Sequence, residues 1–246
     1  MQTRTITRAL GRQNGRGFLV ALAAATLSLP LLLAGAPSAH VTAAADAAFP
    51  VTVTDDEGTE VTIEAEPQRI ISLSPANTEI VYALGAGDRL VGGSAWDQYP
   101  PEAADLTDVV TYNTGVIMEQ VVDLEPDLVL AAGNFFTPAD DIARMRELGV
   151  PVIVVYAPDV PAVMADIQLI GDAIGAGAQA RAITADMQSQ IDTISAAASQ
   201  GDAPTVYYEL DYFEGASFAP APESFVADMI TLAGGEPVTT GDPAVF

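Results

Sequence analysis

The sequence predicts an α/β protein with one α/β lobe, a long helix and a second, smaller α/β lobe. Three observations carry that prediction. Short apolar or β-branched runs alternate with segments of helical periodicity between residues 70 and 155, the pattern of βαβ units and a mainly parallel sheet. The rhythm then breaks, and residues 161–199 show almost only helical signal. A new strand and a new helix follow, over Thr205–Leu210 and Ser224–Leu232.

Taken in order, the first 45 residues stand apart. They hold Arg4, Arg8, Arg12 and Arg16 and no acidic residue, then an apolar run from Phe18 to Ala34 and small residues from Gly35 to Ala45. This is the layout of a secretory signal peptide, with cleavage expected after Ala45 or Ala39. Val51–Thr54 and Val61–Glu64 flank the acidic turn Asp55-Asp56-Glu57-Gly58 and read as a hairpin. Ile70–Leu73 is a short strand. Ser74 then caps a helix whose first residue is Pro75, with Ile80, Val81 and Leu84 on its apolar face and Gly85 at its end.

Leu90-Val91 forms the next strand, and Gly92–Pro101 a loop carrying Trp96, Asp97 and Tyr99. A helix over Ile117–Leu124 leads through Glu125-Pro126-Asp127 into the buried strand Leu128–Ala132. A further helix opens at Thr137-Pro138, turns Ile142, Met145 and Leu148 inward and stops at Gly149, before the strand Val152–Val155. Beyond Pro161 the helical signal is interrupted only at Gly175-Ala-Gly177. The second piece carries Ile183, Met187, Ile191 and Ile194 at helical spacing and would run about 30 Å. Asp202-Ala-Pro204 ends it. The expected divisions are 1–45 (signal peptide), 46–160 (N-terminal α/β lobe), 161–200 (last helix of that lobe and the long linking helix) and 201–246 (part of a C-terminal α/β lobe).

Composition excludes much chemistry. The chain has no cysteine, and its single histidine, His40, falls in the signal segment. Histidine-based triads, thiol nucleophiles and His- or Cys-based metal sites are therefore absent from the mature chain, as is the lipid-bearing cysteine of a lipoprotein. Past residue 45 stand five arginines, no lysine and all 33 acidic residues, a net charge of −28. Such a surface repels nucleic acid and anionic lipid. No segment matches a phosphate-binding loop with its lysine. The sequence does not read as an enzyme and shows no catalytic residues, no resident metal and no cofactor.

Binding is better supported. In open α/β sheets ligands sit beyond the carboxyl ends of the strands. The segments leaving those ends carry Ser74 and Asn77, Trp96 and Asp97, Tyr112 and Asn113, Asn134, Phe135 and Phe136, and Tyr156. These are the candidate ligand-binding residues. Local packing of the same aromatics over the sheet is the simpler alternative for any one of them.

The stretch RIISLSPANTEIVYALGAGDRLVGGSAWDQYPPEA from Arg69 resembles the opening of the cobalamin- and ferric-siderophore-binding periplasmic proteins of ABC importers. So do GVIMEQVVDLEPDLVLAAG from Gly115, ELGVPVIVV with its following helix, and ESFVADMITLAGGEPV from Glu223. The resemblance spans roughly residues 50 to 240. It implies two Rossmann-like lobes bridged by one rigid helix, here about Ala178–Ala198, with ligand in the cleft between them. It also implies an extracytoplasmic monomer that hands its ligand to a permease driven by an ATPase. The carboxylates that pair with permease arginines in that family would be Glu119 and Asp228, the latter where glutamate is usual. Family members continue well past the Ala-Gly-Gly turn, so the second lobe is expected to be incomplete.

Anionic ferric catecholates and citrate want arginine or lysine in the cleft, and few exist here. The aromatic and amide groups suit a bulky, weakly charged ligand, cobalamin or a neutral ferric siderophore, whose own cobalt or iron is the only metal expected. Haem lacks a mature histidine, although tyrosine ligation remains open. The alternative is a truncated, non-transporting domain that docks a partner or acts as a sensor.

Overall fold

In the computed structural model, residues 49–133, 136–199, 201–214 and 216–238 are described. The expected signal segment, Asn134 and Phe135 lie outside them. The hairpin forms as expected from β1 (Val51–Thr54) and β2 (Glu60–Ile63), antiparallel with Val51 opposite Ile63.

A six-stranded sheet follows, made of β3 (Ile70–Ser72), β4 (Leu90–Ser94), β5 (Thr107–Thr111), β6 (Gly115–Val116), β7 (Leu128–Ala132) and β8 (Val152–Val155). Its spatial order is β6-β5-β4-β3-β7-β8, parallel throughout except for the antiparallel β5–β6 pair. The chain winds outward one way from β3 through β4 and β5, and the other way from β7 to β8. The reversal between β3 and β7 is the switch point at which such sheets open a crevice.

β3, β7 and β8 are buried on both faces, which is why they read as unbroken apolar runs. Ile70, Leu128, Leu130, Ile153 and Val155 share one core with Val81 of α1 (Pro75–Ala83), Ile167 and Ile170 of α4 (Val160–Ala173) and Ala180 of α5 (Gly177–Ala198). Ile71, Val129, Ala131, Val152 and Val154 point the other way. They meet Val121 of α2 (Met118–Asp123) and Ile142 and Met145 of α3 (Ala139–Glu147). Each fully buried branched side chain contributes about 1.5–3 kcal/mol. At Gly171 a Cβ would lie 2.5 Å from the Cβ of Ala180, so glycine there sets the close approach of α4 and α5.

The long helix spans 22 residues, about 33 Å. Its stripe is only partly covered: Ile183, Met187 and Ile191 are half-buried, and Ile194 is exposed. After it come β9 (Thr205–Val206), the hairpin β10 (Asp211–Phe213) and β11 (Ala216–Phe218), α6 (Phe225–Leu232) and β12 (Glu236–Pro237). β9 and β12 pair in parallel around α6, a small second α/β lobe. Its tyrosines Tyr207, Tyr208 and Tyr212 are exposed. Ser195 of α5 donates to the Leu232 carbonyl at 3.0 Å, tying α6 to the long helix. Among the described residues no helix is long and apolar enough to cross a membrane.

Several expectations are corrected. β4 runs on to Ser94, because Gly92 and Gly93 continue the ladder to β5. β5 and β6 were not anticipated, since Thr107-Asp108 gives an exposed, polar start. Leu148 is exposed rather than inward, because α3 stops at Glu147 and Leu148 is its C-cap. The strand expected over Thr205–Leu210 covers Thr205-Val206 alone; the tyrosines after it leave the ladder for the β10–β11 hairpin.

Candidate functional site

The carboxyl ends of β3, β5, β7 and β8 open onto one cavity of about 700 Å³. Ser74 and Asn77 come from the β3–α1 connection, Trp96 from the segment after β4, Tyr112 from the β5–β6 turn, Phe136 from the segment after β7 and Tyr156 from the end of β8. The topology thus gathers six candidate residues that are scattered over 83 positions of sequence. α4 closes one side with Val163 and Asp166, and Phe225 of α6 reaches in from the second lobe. A second cavity of about 700 Å³ adjoins it through Tyr156, Ala157 and Phe225 and is lined by Leu210, Phe218 and Pro220 of the second lobe.

The β3–α1 corner is organised by hydroxyl groups. Ser74 Oγ accepts from the Asn77 N–H at 3.4 Å and caps α1. Ser72 Oγ donates to the Ser74 carbonyl at 2.9 Å. The Thr78 hydroxyl donates to Asp97 Oδ2 at 2.7 Å and lies 2.8 Å from Ser72 Oγ.

Asp97 also accepts from the Ser94 N–H at 3.0 Å and from Ser94 Oγ at 2.6 Å. Only 4% exposed and turned into these donors, it does not line the cavity. It fixes the turn that holds Trp96 at the rim. Gly93 permits this, because a Cβ there would stand 2.4 Å from Asp97 Oδ2. Asn113 is exposed and does not line the cavity either.

Tyr112 is 88% exposed and Phe136 73%, so the rim is a set of aromatic faces held open to solvent. The Thr111 and Thr114 hydroxyls, 2.7 Å apart, brace the turn that carries Tyr112. No arginine lines the cavity. Arg69 is spent on the carbonyls of Leu124 and Glu125, Arg89 on Glu66 and the Ile174 carbonyl, Arg146 on Asp55 and Arg181 on Asp172. Arg144 sits exposed on α3.

The one carboxyl group of the lining belongs to Asp166, 6% exposed on α4. Burial, then the charge of Asp56 and a hydrogen bond with it, push its pKa up to about 7. Asp56 itself accepts the backbone N–H of Tyr156. The sequence did carry a signal for Asp166. It falls with Val163, Ile167 and Ile170 on the apolar stripe of α4, where a carboxylate is out of place.

Glu119 stands exposed in the first turn of α2. Asp228 of α6 is half-buried, and its Oδ2 accepts the Val160 N–H at the start of α4 at 3.2 Å. Beside it Asp159 caps the same helix through the Ala162 N–H at 2.8 Å, so two carboxylates meet the positive end of one helix dipole. Among the described residues no group of His, Cys, Asp or Glu could hold a metal ion.

Comparison with known proteins places the chain. It is 38% identical over 167 residues to the uncharacterized ABC transporter substrate-binding lipoprotein YvrC of Bacillus subtilis, covering 66% of this chain and 52% of that protein. It is 32% identical over 203 residues to a cobalamin-binding protein of Halobacterium salinarum, covering 81% and 53%. The chain therefore spans about half the length of the curated relatives it matches. Its fold is shared with the crystal structure of the periplasmic vitamin B12 binding protein BtuF of Vibrio cholerae, at a TM-score of 0.62 and 24% identity over 72% of this chain and 69% of that one. Residues 70–244 match the model of the periplasmic binding protein family, and the chain belongs to that family.

Proposed function

We propose that this chain is the extracytoplasmic substrate-binding component of an ABC importer, which captures a bulky, uncharged metal chelate and delivers it to a permease. Cobalamin and a neutral ferric siderophore are the two candidate ligands. The observation that carries this reading is the cavity at the switch point, rimmed by Trp96, Tyr112, Phe136 and Tyr156 and lined by no arginine. Aromatic faces bury the flat or branched surface of a large chelate. A carboxyl group without a compensating cation disfavours anionic catecholates, citrate and haem propionates. The relatives that bind cobalamin or carry an ABC-transporter name support the same class.

Ser74, Asn77, Trp96, Tyr112, Phe136 and Tyr156 are the proposed ligand contacts, with Asp97 holding Trp96 in place. Asn113, next in sequence to Tyr112, and Asn134 and Phe135, next in sequence to Phe136 and outside the described residues, complete the proposed set. Glu119 and Asp228 are the proposed permease-docking carboxylates. Glu119 is free to pair with a cation of the membrane partner, whereas Asp228 would first have to release the Val160 N–H. The chain has no cofactor of its own in this reading; the metal arrives inside the cargo. The proposed divisions are a lobe to residue 160, linking helices to 200 and the second lobe beyond.

The test is a titration of the chain with cyanocobalamin and a panel of ferric siderophores, following the fluorescence of Trp96 with calorimetry alongside. Saturation below micromolar concentration by one neutral chelate is the expected result. A folded chain that binds none of them would instead favour a partner-docking or sensory module.

A further inference from the structure

Two polar groups in the cavity wall are unusual for such an aromatic site. Asn77, in the first turn of α1, is 3% exposed, and its Nδ2 has no hydrogen-bond partner. A buried amide N–H left unpaired is costly. Such groups are rare in native chains, and one in a cavity wall can be satisfied by what enters the cavity. Asp166, on α4, is the other. Its carboxyl group leans on Asp56, which is fixed in turn by the Tyr156 N–H. Protonated, Asp166 spends its O–H on Asp56 and leaves a carbonyl oxygen that can accept. The wall therefore offers one unused donor and one acceptor.

A group that matches both must accept from Asn77 and donate to Asp166, and it must be uncharged. A carboxylate would meet Asn77 but not Asp166; an ammonium would do the reverse. A carboxamide supplies a carbonyl oxygen and an N–H from the same planar unit. We propose that Asn77 and Asp166 form a polar subsite that recognises a carboxamide group on the ligand and rejects a carboxylate in its place. This rests on the neutral-chelate reading above and narrows it to ligands carrying amides on their periphery.

The experiment measures the binding of cyanocobalamin and ferrichrome, both amide-bearing and uncharged, against haemin and ferric citrate as anions. The chain is compared with its Asn77→Leu, Asp166→Ala and Asp166→Asn variants. A neutral probe is expected to bind, and Asn77→Leu and Asp166→Ala should each weaken it about tenfold or more, the scale expected when a buried hydrogen-bonding group loses its partner. Asn77→Leu should melt close to the parent, because the Nδ2 group it removes has no partner in the free chain. That combination separates a ligand contact from a structural role. Asp166→Asn should bring the affinities for anionic and neutral probes closer together.

Binding of a neutral probe with parent affinity in Asn77→Leu and Asp166→Ala would overturn the subsite and leave the proposed function standing. Binding of the anions alone would overturn the subsite and the neutral-ligand reading together, as would failure of every probe to bind the folded chain.

Discussion

Asp56, exposed in the turn of the first hairpin, and Asp166, buried in the middle of α4, stand close enough for the one carboxyl group to raise the pKa of the other. Two acidic side chains in contact cannot both ionise cheaply, and the buried one holds its proton. The site's charge and the fold's stability are thereby linked.

A carboxyl group whose pKa is raised on folding favours the native state fully below its unfolded pKa, near 4, and that stability is lost as pH rises to the folded value of about 7. The titratable group that acts on it is Asp56 in the hairpin turn, and Tyr156 lines the same cavity. Asp166→Asn should be more stable than the parent at pH 8, by up to about 4 kcal/mol. The difference should vanish near pH 4. Paired urea melts at the two pH values measure it, and a pH-independent difference would refute the assignment.

The aromatic rim predicts a graded loss of affinity. Tyr112→Ala and Phe136→Ala should each weaken the binding of the chelate by about tenfold, the equivalent of about 1.4 kcal/mol. Neither should lower the melting temperature noticeably, because both side chains are largely exposed. Calorimetric titration and thermal melts together check this.

Asp97 predicts the opposite pattern. Asp97→Ala would strand the buried N–H and hydroxyl of Ser94 and leave Thr78 only Ser72 Oγ, and should cost about 2–4 kcal/mol in stability. Gly93→Ala should reproduce part of the effect by pushing a Cβ against Oδ2. Both should shift the emission of Trp96, whose turn is released.

Arg146 holds the buried carboxylate of Asp55 at 2.9 Å. Arg146→Ala leaves that charge without its cation and should destabilise by about 2–3 kcal/mol. The effect should change little between low and high salt, because Asp55 is buried and poorly screened.

Under the importer role proposed above, Glu119→Arg should leave chelate binding unaltered while abolishing stimulation of the partner transporter's ATPase in reconstituted vesicles. Equal stimulation by parent and variant would remove Glu119 from the docking role.

Much of this was legible in the residues. The helix caps at Ser74 and Ser224 and the buried runs at Leu128 and Val152 are local signals, and each element formed where they stood. The gathering of Ser74, Trp96, Phe136 and Tyr156 followed from strand polarity alone. What escaped was set by tertiary contact. β5 begins on polar residues that only its neighbour β4 makes into a strand. Asp97 reads as a cleft carboxylate until Gly93 and Thr78 are seen around it. Asp166 could be picked out of the 33 acidic residues by its place on the apolar stripe of α4, but only the packed helix shows that it lines the wall.

The hairpin turn has a consequence beyond the site. The outward-facing backbone groups of β8 are taken in sequence: the Val152 carbonyl by Arg146, the Val154 N–H by Asp55, the Val154 carbonyl by the Asp56 N–H, and the Tyr156 N–H by the Asp56 carboxylate. At the far border the sheet ends in β6, two residues long. A parallel sheet this apolar would otherwise be a template onto which strands of other chains add. With one border sealed and the other cut short, neither border of the six-stranded sheet offers a long row of free backbone groups to a strand from outside.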